Sequence, residues 1–385
     1  MKKLKLGLLP KILIAIALGI GVGLVAPESV ARIFVTINGI FSQFLGFIIP
    51  LIIVALVTKA IADIGNKAGK MLLTTVAIAY GSTLFAGLVS YFTGATFFPS
   101  MISGGTPMKD VQDAVALTPF FEVTIPPLMG VMTALILAFT LGLGLASTQN
   151  ETLMKATHGF EEIMVKTIKS AIIPVLPLYI FGIFLDMAYV GKVFTVLNVF
   201  IKIIGVIFII HIAILLLQYA IAGFMTGKNP FRLLWNMLPA YFTALGTQSS
   251  AATIPVTLEQ TRKNGVSEDI AGFTIPLCAT IHMAGSMLKI VACALAIMVM
   301  NGQTYDLSLF TGFICMLGIT MVAAPGVPGG AIMASLPLLG SMLGFTDDAQ
   351  GLMIALYIAM DSFGTACNVT GDGAIAIIVD KIFKK

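Results

Sequence analysis

The chain has 385 residues, of which 58% are hydrophobic and only 10% are charged, and its formal net charge is +4. A water-soluble domain of this length needs far more charge to cover its surface, so the composition excludes one. Apolar runs of about 18 residues or more recur along the chain and predict an all-α polytopic membrane protein. The short alternating segments of an outer-membrane barrel are not seen in the sequence.

Six apolar segments in the first 222 residues are predicted to be membrane spans. Their approximate ranges are 11–26, 35–60, 71–98, 126–146, 165–190 and 194–222. The positive-inside rule places the lysine-containing segment 149–169 in the cytoplasm and the polar loop 100–122 outside. Lysines at 2, 3, 5 and 11 and at 381, 384 and 385 place both termini in the cytoplasm, which requires an even number of spans.

Two long apolar stretches beyond residue 222 are interrupted by small and polar residues, at 246–255 (GTQSSAATIP) and at 323–330 (AAPGVPGG). Each is followed by a span with a polar break, at 280–286 (TIHMAGS) and at 368–372 (NVTGD). Such interruptions at matching places in two halves indicate a transporter binding site. Non-helical backbone at membrane depth must be buried or line a cavity. Proline and glycine kinks in ordinary spans are the alternative.

The last predicted span carries polar residues on one helical face. Asp361, Thr365, Asn368 and Asp372 follow one another at i, i+4, i+7 and i+11. Two carboxylates at membrane depth cost several kcal/mol unless a cation or water meets them. This face is therefore suited to an ammonium group and a metal ion. Alternatively, the acids hold neighbouring helices together.

The predicted chain reversals add a place for an anion. Ser249 and Ser250 stand where the chain enters a second half-helix, whose free N–H groups and positive dipole end can receive a carboxylate. A serine pair there can also be only a helix cap. The stretch 325–330 would form a second, more mobile tip, since glycine and proline allow sharp turns. Together, the tips and the acidic face suit a zwitterion.

These motifs resemble the dicarboxylate/amino acid:cation symporter family, which contains glutamate transporters and bacterial serine/threonine symporters. From about residue 235 onward, the resemblance rests on four motifs: SSAATIP, TIHMAGS, GVPG and DSFGTACNVTGD. In the first 230 residues it rests only on the number and spacing of the spans. It implies eight transmembrane helices plus two re-entrant helical hairpins, a homotrimer and an elevator-type movement. The scaffold would comprise residues 1–70 and 126–190, and the transport domain residues 71–98 and 194–385.

The resemblance also implies roles for single residues. Asp361 would bind the substrate ammonium, and Ser250 and Asn368 its α-carboxylate. The remaining implied substrate positions are Ser249, Ser286, Val327, Pro328, Gly329, Gly364 and Thr365. A Na⁺ site, partly of backbone carbonyls, is expected at Cys278, His282, Asn368 and Asp372, because hard cations prefer oxygen ligands.

One departure from the family pattern bears on the substrate. Members that take acidic substrates carry an arginine three residues after the ammonium-binding aspartate, where this chain has Gly364. A buried side-chain carboxylate would lose a bidentate partner, at about 2–5 kcal/mol. The expected function is import of a small neutral amino acid such as serine, threonine or alanine, coupled to Na⁺, to H⁺ or to both. The alternatives are symport of an acidic amino acid or a C4-dicarboxylate, and amino acid exchange.

A second departure bears on the coupling cation. In the TIHMAGS break, His282, Ala284 and Ser286 replace the Asn, Asp and Thr of the family. An unpaired ammonium in mid-span is costly, so Lys289 is expected to pair with a carboxylate such as Asp372, in space that a sodium ion fills in relatives. Proton coupling through His282 or Lys289 could then replace part of the sodium coupling. A fixed Lys–Asp pair is the alternative.

Other classes of protein are not expected. The three histidines lie in separate segments without a catalytic motif, which argues against an enzyme, and no filter motif indicates a channel. No basic patch suits nucleic acid, and the four cysteines match no zinc motif. No cofactor is expected apart from Na⁺. The expected location is a bacterial-type inner membrane.

Overall fold

The computed structural model describes residues 8–65, 70–102, 117–191, 193–322, 324 and 329–383, and the regular structure among these is entirely helical. In chain order the helices are α1 (Leu8–Gly23), α2 (Glu28–Gly65), α3 (Lys70–Ile102), α4 (Val131–Thr148), α5 (Glu151–Thr167), α6 (Ile173–Tyr189), α7 (Val193–Thr226), α8 (Pro230–Thr247), α9 (Ser250–Lys263), α10 (Glu268–Ile281), α11 (Ala284–Met300), α12 (Leu307–Val322), α13 (Gly330–Leu343), α14 (Asp347–Ala359) and α15 (Asp361–Phe383). A π-helical segment, Ile168–Ile172, joins α5 to α6.

Long apolar helices confirm the all-α membrane class. Within the described residues, six stretches are long and apolar enough to cross a membrane: Glu28–Lys59, Lys70–Ile102, Glu151–Tyr189, Val193–Thr226, Glu268–Met300 and Asp361–Phe383. The six spans expected before residue 222 each coincide with a helix, α1 to α4, α6 and α7. The terminal lysines at 2, 3, 5, 384 and 385 and most of the loop 100–122 lie outside the described residues.

Two helix boundaries differ from the expectation. The fourth span was expected from residue 126, but α4 begins at Val131 with Gly130 as its N-cap. The charged segment 149–169 is helical. Asn150 caps α5 by accepting a hydrogen bond from the amide of Leu153 at 3.0 Å, and α5 continues through the π-helical segment into the next span.

The helices pack in two groups. In one group α1 packs on α6, and α2 packs on α4, α5 and α6. In the other, α15 is surrounded by α7, α8, α9, α10 and α11, and α11 also lies along α3. The groups meet chiefly where α13 and α14 lie against α1, α2 and α6. Almost all of α15 is buried, so the polar residues of this helix lie inside the protein.

The second group contains the repeated plan that the sequence predicts. The pair α8–α9 is followed by α10 and α11, which are separated at residues 282–283, and the pair α12–α13 is followed by α14 and α15, which are separated at Met360. The break expected at 280–286 is thereby confirmed. The break expected at 368–372 is wrong, because these residues lie inside the continuous helix α15. The side chains of Asn368 and Asp372 bond to the start of α11 and to His282 and leave the backbone ladder intact.

Candidate functional site

Two chain reversals meet the first turn of α15. The tip between α12 and α13 reaches Asp361, whose Oδ2 accepts a hydrogen bond from the backbone N–H of Gly329 at 2.8 Å. The tip between α8 and α9 reaches the next residue, where the Gln248 side-chain amide donates to the Ser362 hydroxyl at 2.8 Å. Gly329 and Gln248 both have a positive φ, which lets the chain turn sharply at each tip. The start of α15 is thus enclosed from two sides.

The two serines at the first tip occupy the beginning of α9. Ser249 is the N-cap, and its hydroxyl accepts a hydrogen bond from the amide of Ala252 at 3.3 Å. Ser250 is the first helical residue, and both serines are partly exposed. A partly exposed helix N-terminus therefore lies beside Gln248, and such a terminus is suited to a carboxylate. Of the residues expected at the second tip, Val327 and Pro328 lie outside the described residues.

Lys289 lies against Asp361. Its side chain is 0% exposed, and its Nζ lies 3.4 Å from Asp361 Oδ1 and donates to the Met360 carbonyl at 3.3 Å. The same Nζ stands 3.7 Å from the centroid of the Tyr357 ring, close enough for a cation–π interaction. Lys289 thus pairs with a carboxylate, as expected, but with Asp361 and not with Asp372. Helices α11 and α15 run in opposite directions, so the later residue of α11 meets the earlier acid of α15.

Gly364 makes room for this lysine. A Cβ atom at Gly364 would overlap Cε and Nζ of Lys289. The space beside Gly364 is therefore filled by an ammonium group that comes from another helix. This ammonium contacts Asp361, the Met360 carbonyl and the Tyr357 ring, and it is buried from solvent.

One turn further along α15, Asn368 binds the start of α11. Its Oδ1 accepts from the amide of Gly285 at 2.8 Å, and its Nδ2 donates to the Ser286 hydroxyl at 3.2 Å. Ser286 in turn shares a hydrogen bond of 3.0 Å with the Tyr357 hydroxyl. Thr365 is buried between Asp361 and Asn368 on the same helix. Asn368 and Ser286 were both expected to contact substrate. In the structure they form one hydrogen-bonded series with Tyr357.

The second acid has its own base. His282 Nδ1 lies 2.9 Å from Asp372 Oδ1, and both side chains are buried. His282 Nε2 lies 3.2 Å from the Ser82 hydroxyl, which accepts a hydrogen bond from Gln218 at 2.9 Å. Asp372 therefore contacts an imidazole at the place where a Na⁺ site was expected.

The other expected Na⁺ ligands are also engaged within the chain. The Cys278 carbonyl accepts the amide of His282 at 2.8 Å, and Asn368 uses both ends of its amide on α11. The described residues contain no group of three or more His, Cys, Asp or Glu side chains that could hold a metal ion. A sodium ion at Asp372 would therefore have to compete with His282 for the carboxylate.

Some contributors to the site were not expected from the sequence. Tyr357 joins Lys289 to Ser286, and Met360 supplies a carbonyl where α14 ends. Neither carries a motif that singles it out. Ser82 and Gln218 could have been found, because a polar side chain in the middle of an apolar span must face the protein interior and a partner. His211, expected to be structural, is buried and its Nε2 lies 3.1 Å from the Gly285 carbonyl.

Comparison with known proteins finds similarity along almost the whole chain. Residues 8–382 match the model of the sodium:dicarboxylate symporter family. A protein of Acinetobacter baumannii named serine/threonine transporter SstT is 27% identical over 98% of this chain and 97% of its own length. The protein of the same name from strain AYE of that species is 28% identical over the same shares. These relatives are transporters, not enzymes.

Proposed function

Because the chain belongs to the sodium:dicarboxylate symporter family, we propose that it is a secondary active transporter that imports a small neutral amino acid. The proposed substrates are serine, threonine and alanine, the first two of which are named in the titles of its relatives. The coupling cation is Na⁺, H⁺ or both. The chain is a multi-pass membrane protein, and we place it in the inner membrane of a bacterial-type cell with both termini in the cytoplasm.

The observation that carries this proposal is the meeting of the two tips at the first turn of α15. A buried carboxylate at Asp361 suits the substrate ammonium, and the exposed start of α9 suits its α-carboxylate. The Gly329 N–H, at the N-cap of α13, contacts Asp361 from a second side.

The same geometry supports a neutral side chain on the substrate. Gly364 carries no guanidinium, and Lys289, which fills the adjacent space, is fully buried and occupied by Asp361 and Met360. An acidic side chain would have to draw this ammonium away from its partners. An acidic amino acid or a C4-dicarboxylate is the second candidate, and the observation in its favour is that a positive charge does lie beside Gly364.

The coupling cation meets the chain at Asp372. Sodium must displace the His282 imidazole from Asp372 Oδ1, whereas a proton can be carried by the His282–Asp372 pair itself. The pair is buried, and His282 is hydrogen-bonded to Ser82 of α3. A change in the charge of the pair would therefore alter the contact with α3. The proposal therefore includes both cations, and the experiment below separates them.

The proposed movement follows the packing of the helices. We propose eight transmembrane helices with α8–α9 and α12–α13 as re-entrant hairpins, and a homotrimer held together by the scaffold. The scaffold would be residues 1–70 and 126–190, and the moving transport domain residues 71–98 and 194–385. The two groups of helices described above support this division.

Purified protein reconstituted into liposomes tests the proposal. L-serine, L-threonine and L-alanine should be taken up saturably and should raise the melting temperature in detergent, whereas L-aspartate and succinate should do neither. Uptake driven by a sodium gradient alone, by a proton gradient alone and by both identifies the cation. Transport of aspartate or succinate in place of the neutral amino acids would refute the substrate class.

A further inference from the structure

Both carboxylate oxygens of Asp361 contact donors of the chain itself. Its Oδ1 faces the Lys289 ammonium at 3.4 Å, and its Oδ2 accepts the Gly329 N–H at 2.8 Å. The carboxylate and the lysine side chain are buried, at 4% and 0% exposure. The residue that the proposed function assigns to the substrate ammonium thus already holds an ammonium, and it comes from α11.

The charges make the two ammonium groups competitors. Asp361 supplies one negative charge, and a bound amino acid would bring a second positive charge beside Lys289. Like charges brought together in a buried site cost several kcal/mol. The ion pair between Lys289 and Asp361 must therefore weaken when the substrate ammonium binds Asp361.

We propose that Lys289 is a tethered counter-cation, which occupies Asp361 in the empty carrier and yields it to the ammonium group of the substrate. This inference rests on the proposed function, since it requires a substrate that carries an ammonium group. It identifies Lys289 as a residue that weakens amino acid binding and stabilises the carrier without substrate.

The contacts of Lys289 allow such an exchange. Its Nζ also binds the Met360 carbonyl at 3.3 Å and stands over the Tyr357 ring, so it keeps two partners when Asp361 turns away. The other contact of Asp361 is the N–H of Gly329, the N-cap residue of α13. When the substrate ammonium takes the place of this N–H at Oδ2, the carboxylate turns from Lys289 towards it.

A consequence follows for the transport cycle. A carrier that releases its substrate leaves an unpaired buried carboxylate unless a cation takes its place, and an unpaired buried charge strongly opposes closure of the site. Lys289 supplies that cation from within the chain. The empty carrier can therefore return, and net uptake is possible without obligatory exchange.

Two substitutions test the inference by different routes. Lys289→Met removes the ammonium and keeps the length of the side chain. Gly364→Ala keeps the ammonium but places a Cβ where Cε and Nζ of Lys289 lie, and so displaces it from Asp361. Lys169→Met, at an exposed lysine of the π-helical segment, is the matched control. L-serine and 3-hydroxypropanoate are the paired probes, because the second is serine without its amino group.

Both variants should bind L-serine at least about tenfold more tightly than the wild type, with a larger rise in melting temperature. Their affinity for 3-hydroxypropanoate should not increase in this way. In proteoliposomes, both should keep serine–serine exchange and lose net uptake. If Lys289→Met does not fold, Gly364→Ala decides the question by the same measurements.

Unchanged serine affinity and an unchanged ratio of net uptake to exchange in the folded variants would overturn the inference and leave the proposed function standing. Loss of serine binding in folded Lys289→Met would also overturn it, since Lys289 would then be a ligand of the substrate carboxylate. If no amino acid binds the wild type or either variant, the proposed function fails, and the inference fails with it.

Discussion

Asp361 and Asp372 lie at the two ends of one buried polar face of α15. Each carboxylate contacts a basic side chain from another segment. Eleven residues of helix separate Asp361 from Asp372, about 16 Å along the axis. Lys289 lies at the first acid and His282 at the second. These pairings place one base at the proposed substrate site and the other at the proposed cation site, so the two sites can be changed separately by mutation.

The Asp361–Lys289 pair gives a prediction for stability as well as for binding. Asp361→Asn keeps the shape of the side chain but leaves the Lys289 ammonium buried without a counter-charge, which should lower the free energy of unfolding by about 3–5 kcal/mol. The double variant Asp361→Asn with Lys289→Met should recover most of this loss. Neither should bind an amino acid. Denaturation in detergent and a serine binding assay measure the two effects.

Asp269→Asn is the control for this experiment, because Asp269 is an exposed acid at the start of α10. It should leave stability within about 0.5 kcal/mol of the wild type. Serine binding that persists in Asp361→Asn would show that the substrate ammonium binds elsewhere.

The sequence predicts which residues of α15 share a face, and not which partners they meet. Spacing at i, i+4, i+7 and i+11 places Asp361, Thr365, Asn368 and Asp372 together because helical geometry is local. The partner of Lys289 depends on the direction in which α11 crosses α15. That direction is set by the chain break at residues 282–283 and by Gly285, against which α15 packs closely. The pairing of Lys289 with Asp372 was for this reason wrongly predicted.

Helix caps separate a structural role of Ser249 from a role in binding. Ser249 caps α9 through the amide of Ala252, and Thr346 caps α14 through the amide of Ala349 at 3.4 Å. Each change to alanine should cost about 0.5–2 kcal/mol of stability. Only Ser249→Ala should also weaken serine binding, because only α9 begins at the proposed substrate site. If the Ser249→Ala and Thr346→Ala variants bind serine equally well, Ser249 has only the structural role of a helix cap.

Close packing of α11 on α15 depends on a glycine. A Cβ at Gly285 would lie 2.6 Å from the Gly364 carbonyl oxygen and 2.7 Å from the Cys367 Cβ. Gly285→Ala must therefore push the two helices apart, and it should lower the melting temperature by the equivalent of about 1–3 kcal/mol.

Gly272→Ala in α10 is the matched control, since a Cβ there meets nothing within 4 Å. It should stabilise the protein by about 0.5–1 kcal/mol, because alanine forms helix better than glycine. A Gly285→Ala variant as stable as Gly272→Ala would contradict the close packing described for α11 and α15.

Helix ends were predictable where the chain itself forces them. Gly329 and the serines at 249–250 lie where helices begin in the structure. The polar run 368–372 has no such effect, because Asn368 and Asp372 find partners on α11 and at His282 without giving up backbone bonds. The separation of α14 from α15 falls at Met360, directly before Asp361, and was not predicted.

The contact between the two groups of helices includes a hydrogen-bonded crossing. The Tyr179 hydroxyl on α6 lies 3.2 Å from the Ser42 hydroxyl on α2 and donates to the Asp347 carbonyl of α14 at 3.3 Å. A cavity of about 250 Å³ lies beside it, lined by residues of α2, α6, α13 and α14. A boundary with few polar bonds and unfilled space is suited to sliding, which is what the proposed elevator movement requires.

A cross-link over this boundary tests the movement. A Cβ at Gly351 of α14 would lie 3.2 Å from Cγ1 of Ile183 on α6, so cysteines at the two positions can reach each other. Cys315→Ala should be introduced first, because the other native cysteines are buried. The oxidised Ile183→Cys, Gly351→Cys protein should still bind L-serine but should not transport it, and reduction should restore transport.

The two single-cysteine variants provide the comparison. Oxidised Ile183→Cys and oxidised Gly351→Cys, each alone in the Cys315→Ala background, cannot form this cross-link, so each should transport at the rate of its reduced form. Transport by the oxidised pair at 183 and 351 would mean that α6 and α14 move as one body. The division at residues 126–190 and 194–385 would then have to be redrawn.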